Sequence, residues 1–172
     1  MPLNNRQRAS IAGLALSASA FVGIAMREGY TDNTIIPTKN DRPTNGFGMT
    51  QRPDGSPVRL GDKTTPVQAL QRSLAFIQKD EGKIKQCVKV PLYQAEYDLY
   101  VAFAYNVGVK GFCQSTIVKR LNAYDYAGAC DAILMWKKAG GYDCSTPGNK
   151  RCAGLWTDRL KTHAKCLEAQ HV

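Results

Sequence analysis

Four glutamates occur in the chain, Glu28, Glu81, Glu96 and Glu168. Glu81 and Glu96 stand among charged or tyrosine-rich positions and are expected to be solvated. Glu28 differs, because it follows a long uncharged stretch and precedes Gly29. Partial burial there would raise its pKa and favour the protonated form, which can donate a proton. Cleavage of a sugar bond uses such an acid beside the leaving oxygen, together with a second carboxylate or an oriented water near the sugar carbon. Asp41 and Asp32 are the acidic side chains that follow Glu28 most closely, and Asp41 stands three positions before Thr44. The plainer reading of Asp41 is a turn residue within Asn40-Asp41-Arg42-Pro43.

The elements that must position Glu28 begin with the segment before it. Arg6 and Arg8 are followed by a charge-free run over residues 9–26, which Arg27 and Glu28 end. As one helix this run would cover roughly 27 Å, barely the hydrocarbon thickness of a bilayer. Its many Ala, Gly and Ser residues make it a weak anchor. Three readings compete: a cleaved signal peptide ending near Ala18-Ser19-Ala20, a permanent transmembrane helix, and a signal anchor that inserts and later escapes. The third is favoured, because a helix this rich in small residues can live in either solvent once protein covers its apolar side.

Beyond Glu28, residues 28–62 carry Pro37, Pro43, Pro53 and Pro57 with Gly46, Gly48, Gly55 and Gly61, which exclude a long helix and predict short strands and turns. Thr44-Asn45-Gly46-Phe47-Gly48 reads as a tight hairpin. Helices then dominate. Thr64-Thr65-Pro66 opens one, continued by Val67, Leu70, Leu74 and Ile77 at helical spacing. Others are expected over residues 94–106, from 115, over 124–137 and over 155–168.

The net charge of +9 predicts attraction to a polyanion. The six cysteines lack zinc-knuckle spacing, and an even number in an exported chain reads as disulfides, with 15 possible pairings. Cys144 and Cys152 could close a small loop through Ser145-Thr146-Pro147-Gly148-Asn149.

Arg27-Glu28-Gly29-Tyr30, followed by Pro43-Thr44-Asn45-Gly46-Phe47-Gly48-Met49-Thr50, resembles the T-even and lambdoid phage lysozymes of glycoside hydrolase family 24. Phe103-Ala104-Tyr105-Asn106-Val107-Gly108, Phe112-Cys113-Gln114-Ser115-Thr116 and Trp136-Lys137-Lys138-Ala139-Gly140-Gly141 extend the resemblance in order along the chain. Residues 1–26 resemble the signal-anchor-release helices of some phage endolysins.

The resemblance implies a lysozyme-like α+β fold, mainly helical, with a small N-terminal β-hairpin lobe and a substrate cleft. It implies a signal-anchor segment over residues 1–26 and a muramidase domain over 27–172. The reaction would be hydrolysis of the β-1,4 bond between N-acetylmuramic acid and N-acetylglucosamine, with no metal or other cofactor. Glu28 would be the acid, and Thr44 would help hold the attacking water. The family's usual spacing for the second carboxylate falls on Pro37 and Thr38, so Asp41 takes that role with Asp32 as runner-up. Tyr105, Asn106 and Trp136 would contact the glycan, although Asn106 could equally cap a helix and Trp136 pack in the core. Arg159 has a weaker likeness to a family arginine near the last helix.

The expected partners are peptidoglycan and, through the N-terminal segment, the bacterial inner membrane. No nucleic acid is expected, and the chain would be a monomer. It would be held inactive at the host inner membrane and then released into the periplasm. A lytic transglycosylase and a non-catalytic, membrane-anchored wall-binding protein are the alternatives.

Overall fold

The computed structural model describes residues 7–38 and 41–171. Arg6 and Asn40 of the sequence reading lie outside them. The chain divides into two compact units, one of residues 16–82 and one in which residues 83–172 are joined by residues 1–15.

The first unit starts with α1, Ala18–Glu28. Ser17 caps it by accepting the Ala20 N–H, which satisfies one of the donors a helix start leaves open. Strands β1, Thr31–Ile35, and β2, Thr44–Gly46, pair antiparallel, with Thr31 opposite Gly46 and Ile35 opposite Thr44. Residues 62–64 run along β1, exchanging backbone bonds from Thr34 N to Asp62 O and from Thr64 N to Asp32 O. A second arm folds back on itself through Gln51 and Pro57. Arg52 forks onto Asp62, donating from Nε and Nη2 at 2.8 Å each. The helix expected from Thr64-Thr65-Pro66 is α2, Pro66–Cys87, which continues into the other unit. Ile77 is buried on it, whereas Val67, Leu70 and Leu74 are exposed.

The second unit is built around α3, Gln94–Val107. Tyr97, Tyr100, Val101, Phe103 and Ala104 are all buried, so apolar side chains leave this helix in several directions and it is enclosed by its neighbours. Around it lie α4, Val109–Cys113, α5, Thr116–Asn122, α6, Tyr126–Ala132, and α7, Ala153–Glu168. The fully buried Phe112, Ile117, Leu121 and Ile133 fill the core, each worth roughly 1.5–3 kcal/mol.

The helix expected over 124–137 is shorter. Tyr124 takes a left-handed φ of 60°, and Asp125 then caps α6 by accepting the Gly128 N–H. After a 3-10 turn at Ile133–Met135 the chain enters a two-stranded sheet, β3, Lys138–Ala139, and β4, Tyr142–Asp143. Gly140 and Gly141 make its turn, with φ of 55° and 84°. This hairpin was missed, although a Gly-Gly pair is its ordinary signal.

Three disulfides join Cys87 to Cys113, Cys130 to Cys166 and Cys144 to Cys152. The last is the small loop expected from the sequence.

The charge-free run does not form one helix. Residues 11–13 make a 3-10 turn, the next four belong to no helix or strand, and α1 follows. Among the described residues no helix is long and apolar enough to cross a membrane. The run contributes to both units. Ala9 exchanges backbone bonds with Leu92, and Ile11 and Leu14 are buried.

Glu81 and Glu96 correct the reading that made them solvated; only 7 % and 1 % of their surface is exposed. Each has a use for its charge that local composition could not reveal. Glu81 Oε1 accepts the Leu16 N–H at 2.8 Å. Glu96 accepts two bonds from Arg8 and one from the Tyr93 N–H.

Candidate active site

Glu28 is the last residue of α1, and Gly29 stops the helix with φ of 69° while its N–H still bonds to Ala25 O. The chain then turns directly into β1, so the acid is carried by a helix end whose exit is tied to the hairpin. Asn45 and Met49 close the hairpin turn with two backbone bonds. Asn45 is 1 % exposed. Its Oδ1 accepts from Arg72 of α2, and its Nδ2 donates to Thr34 of β1. Those bonds hold the turn rigidly from below. Gly46 approaches α2 so closely that a Cβ there would lie 2.8 Å from the Ala69 Cβ.

Gly48 is where the turn meets the acid. A Cβ at this position would lie 2.9 Å from Glu28 Oε2, and the backbone φ of 71° already disfavours other residues. Gly48 belongs to the hairpin expected from the sequence, and its missing side chain also leaves space for the carboxylate. Glu28 is exposed to solvent. Even so, the protein around it displaces enough water to raise its pKa above the ordinary 4.5, against the opposing pull of the Arg27 charge. A carboxyl that stays protonated to higher pH is suited to giving up a proton.

Thr44 opens β2 opposite Ile35 and is half-buried. Strand alternation puts it on the face opposite Asn45 and on the same face as Gly46. Asp41 is exposed, and its carboxylate is engaged locally: Oδ1 accepts the Arg42 N–H at 2.8 Å, and Oδ2 accepts from Thr38 Oγ1 at 3.3 Å. Asp32 lies on β1, where its Oδ1 accepts from both the Asn33 N–H and the Asn33 side-chain amide. The same unit has a cavity of about 380 Å³ lined by Arg52, Lys63, Gln68 and Arg72 among others, and Glu28 is not on its wall.

In the helical unit a single side chain connects two of the three residues expected to meet the glycan. Arg159, on α7 and 4 % exposed, donates from Nη2 to Asn106 Oδ1 at 2.8 Å and from Nε to the Trp136 carbonyl at 3.1 Å. Its guanidinium lies 5.0 Å from the centre of the Phe103 ring. Asn106, at the end of α3, is thus held by a side chain as well as by its place before Gly108. Trp136 meets Phe103 edge-on at 5.8 Å, and its ring lies 3.2 Å from where a Cβ on Gly111 would stand, which makes packing a large part of its role. Tyr105 is half-buried on α3. Among the described residues no group of three His, Cys, Asp or Glu side chains gathers as a metal site.

The architecture and the motif order are those of a lysozyme. The phage lysozyme family pattern matches residues 25–162, and the chain belongs to that family. It is accordingly a glycoside hydrolase of the lysozyme type, with peptidoglycan as its class of substrate. The endolysin of Salmonella phage P22 is 38 % identical over 132 residues, covering 74 % of this chain and 86 % of the relative. A SAR-endolysin of Pseudomonas phage phiKMV is 34 % identical over 163 residues, covering 91 % of this chain and 90 % of the relative. Among solved structures, an endolysin from Escherichia coli O157:H7 phage FAHEc1 superposes with a TM-score of 0.74 at 30 % identity, covering 90 % of this chain and 94 % of that one.

Proposed function

We propose that this chain is an endolysin that hydrolyses the β-1,4 bond between N-acetylmuramic acid and N-acetylglucosamine, with Glu28 as the general acid, to lyse the host cell. The observation that carries this reading is the Glu28 carboxyl at the end of α1, lodged against Gly48 and raised in pKa. Protonated Glu28 gives its proton to the departing glycosidic oxygen while positive charge grows on the sugar carbon. Thr44 helps hold the attacking water, and Asp41 receives its proton. Asp41 must first exchange its bonds with Thr38 and Arg42 for one to that water. Tyr105, Asn106 and Trp136 contact the glycan, with Asn106 steadied by Arg159. No cofactor takes part, and the enzyme works as a monomer.

Residues 1–26 serve as a signal anchor. It holds the chain inactive at the inner membrane until its release gives the active enzyme in the periplasm. Arg8 before an uncharged run supports this reading, as does the similarity to the phiKMV SAR-endolysin over most of both chains.

Glu28→Gln keeps the shape and removes the acid. Purified wild-type protein should release soluble muropeptides from sacculi, and the variant should be slower by about 10²–10⁴-fold. Full muropeptide release by a folded Glu28→Gln protein would overturn Glu28 as the acid, whereas no release by the wild type would leave only a wall-binding role. The locally bonded carboxylate of Asp41 favours examining a second reading, a transglycosylase that needs no base for water. Mass spectrometry separates the two, since hydrolysis adds water to the new end and transglycosylation leaves an anhydro sugar.

A further inference from the structure

We propose that Tyr93, Glu96 and Tyr126 form a guanidinium-binding site whose ligand is Arg8 of the same chain, and that its filling latches the N-terminal segment onto the helical unit. Arg8 donates from Nε to Glu96 Oε2 at 2.9 Å and from Nη2 to Oε1 at 2.8 Å. Its guanidinium carbon stands 3.6 Å from the centre of the Tyr126 ring and 4.5 Å from that of Tyr93. A planar cation bound by a two-toothed carboxylate and flanked by aromatic faces is a site for guanidinium rather than ammonium.

The walls have supports of their own. Glu96 Oε2 also accepts the Tyr93 N–H at the start of α3, and Tyr126 Oη donates to Pro91 O at 2.9 Å. Glu96 is 1 % exposed, and a carboxylate so buried is costly without its counter-charge. The helical unit therefore demands a cation at this point. Arg8 supplies it and brings the next residues along. Ala9 bridges Leu92, Ile11 and Leu14 are buried, and Gln94 Nε2 donates to Ala15 O at 2.8 Å. The following N–H, of Leu16, is held by the buried Glu81. The latch thus fixes the segment from Arg8 to Ala15 on the helical unit.

The regulatory consequence rests on the anchor reading above. While residues 9–26 lie in a bilayer, Arg8 stays at its flank among lipid headgroups and water. The site is then without its ligand, and it fills once the segment is released. Return of the segment to the membrane must first pull Arg8 out.

Hydrogen exchange on the purified full-length chain tests the site without any membrane. In Arg8→Ala the Ala9 and Leu92 amides should exchange about tenfold faster or more, as the segment opens locally. Arg8→Ala/Glu96→Gln should exchange equally fast, while its melting temperature recovers because the buried charge is gone. Millimolar ethylguanidinium should raise the melting temperature of Arg8→Ala, and ethylammonium should do so far less. Neither should protect Ala9, because the added cation is not tied to the segment. Unchanged exchange in both variants, or equal effects of the two cations, overturns the proposal.

Glu96→Gln leaves the segment's own sequence intact and is the variant for cells. A larger share of it than of wild type should stay with the inner membrane after release. If wild type never fractionates with membrane, the anchor reading fails while the exchange result still decides the site. If wild type is released and Glu96→Gln is released equally, the latch does not control return.

Discussion

Gly48→Ala is a perturbation of the acid made without touching it. The new methyl would lie 2.9 Å from Glu28 Oε2, about half an ångström or more inside an ordinary carbon–oxygen contact. The turn below Gly48 is pinned by Asn45, Arg72 and Thr34, so the flexible carboxylate moves and the backbone does not. A misplacement of about 1 Å can cost roughly 10²-fold in rate, so a shift of this size should lower turnover about tenfold. The substitution also strains the backbone, at about 1–2 kcal/mol for a side chain in the left-handed region. Gly55→Ala isolates that part. Its φ is 83° and no atom lies within 4 Å of the new Cβ, so it shares the strain and lacks the collision. Turnover of dye-labelled sacculi, corrected for the folded fraction from thermal melts, should fall in Gly48→Ala alone, with similar loss of melting temperature in both. A carboxylate pushed toward water should also lose part of its raised pKa, moving the alkaline limb of the rate profile to lower pH. Equal turnover in the two variants, within about twofold, would refute the placement of Glu28 as the positioned acid.

Other outcomes follow from the same geometry. With Glu28 as the proposed general acid, needed protonated and raised in pKa by lost hydration, activity should persist above the usual glutamate range and fall as pH rises through the raised value. Arg27→Gln removes the opposing charge and should move that alkaline limb upward. Asp62 is held at about 2 by its bonds from Arg52, a depressed pKa. Its contribution to stability should therefore be complete above the ordinary value of 3.8 and disappear as pH falls toward 2, and Arg52→Gln should flatten that part of an acid-unfolding curve. Loss of the Cys130–Cys166 bridge, which spans 36 residues, should cost about 4 kcal/mol by loop entropy, measured by denaturant unfolding. Loss of Cys144–Cys152, spanning 8, should cost about 2.5 kcal/mol.

The sequence by itself determined what depends on neighbours along the chain. Proline in the first turn opened α2, glycine ended α3, and Ser115 capped α5 through its bond from the Val118 N–H. The short spacing of Cys144 and Cys152 suggested a loop that the structure closes. Glu28 before Gly29, followed by the Thr44–Gly48 motif, was enough to single out a candidate acid and to place the hairpin beside it. Periodicity found α2 but could not say that Val67, Leu70 and Leu74 would be exposed while Ile77 is buried, because burial depends on what comes to lie against a face. Asp41 was proposed for its position, whereas its present bonds are those of a turn.

The tertiary structure alone decided where charge is buried. Glu96 and Arg8 are 88 residues apart, and Glu81 and Leu16 are 65. No local pattern predicts a partner at such a distance, so two carboxylates judged solvated by their neighbours became buried. The same long-range contacts divided the charge-free run into a segment held by Leu92 and a separate helix. For Glu28 the sequence supplied the residue and its place at a helix end. The bare backbone of Gly48 against its carboxylate, and the lost hydration that raises its pKa, exist only once the hairpin has folded back over α1.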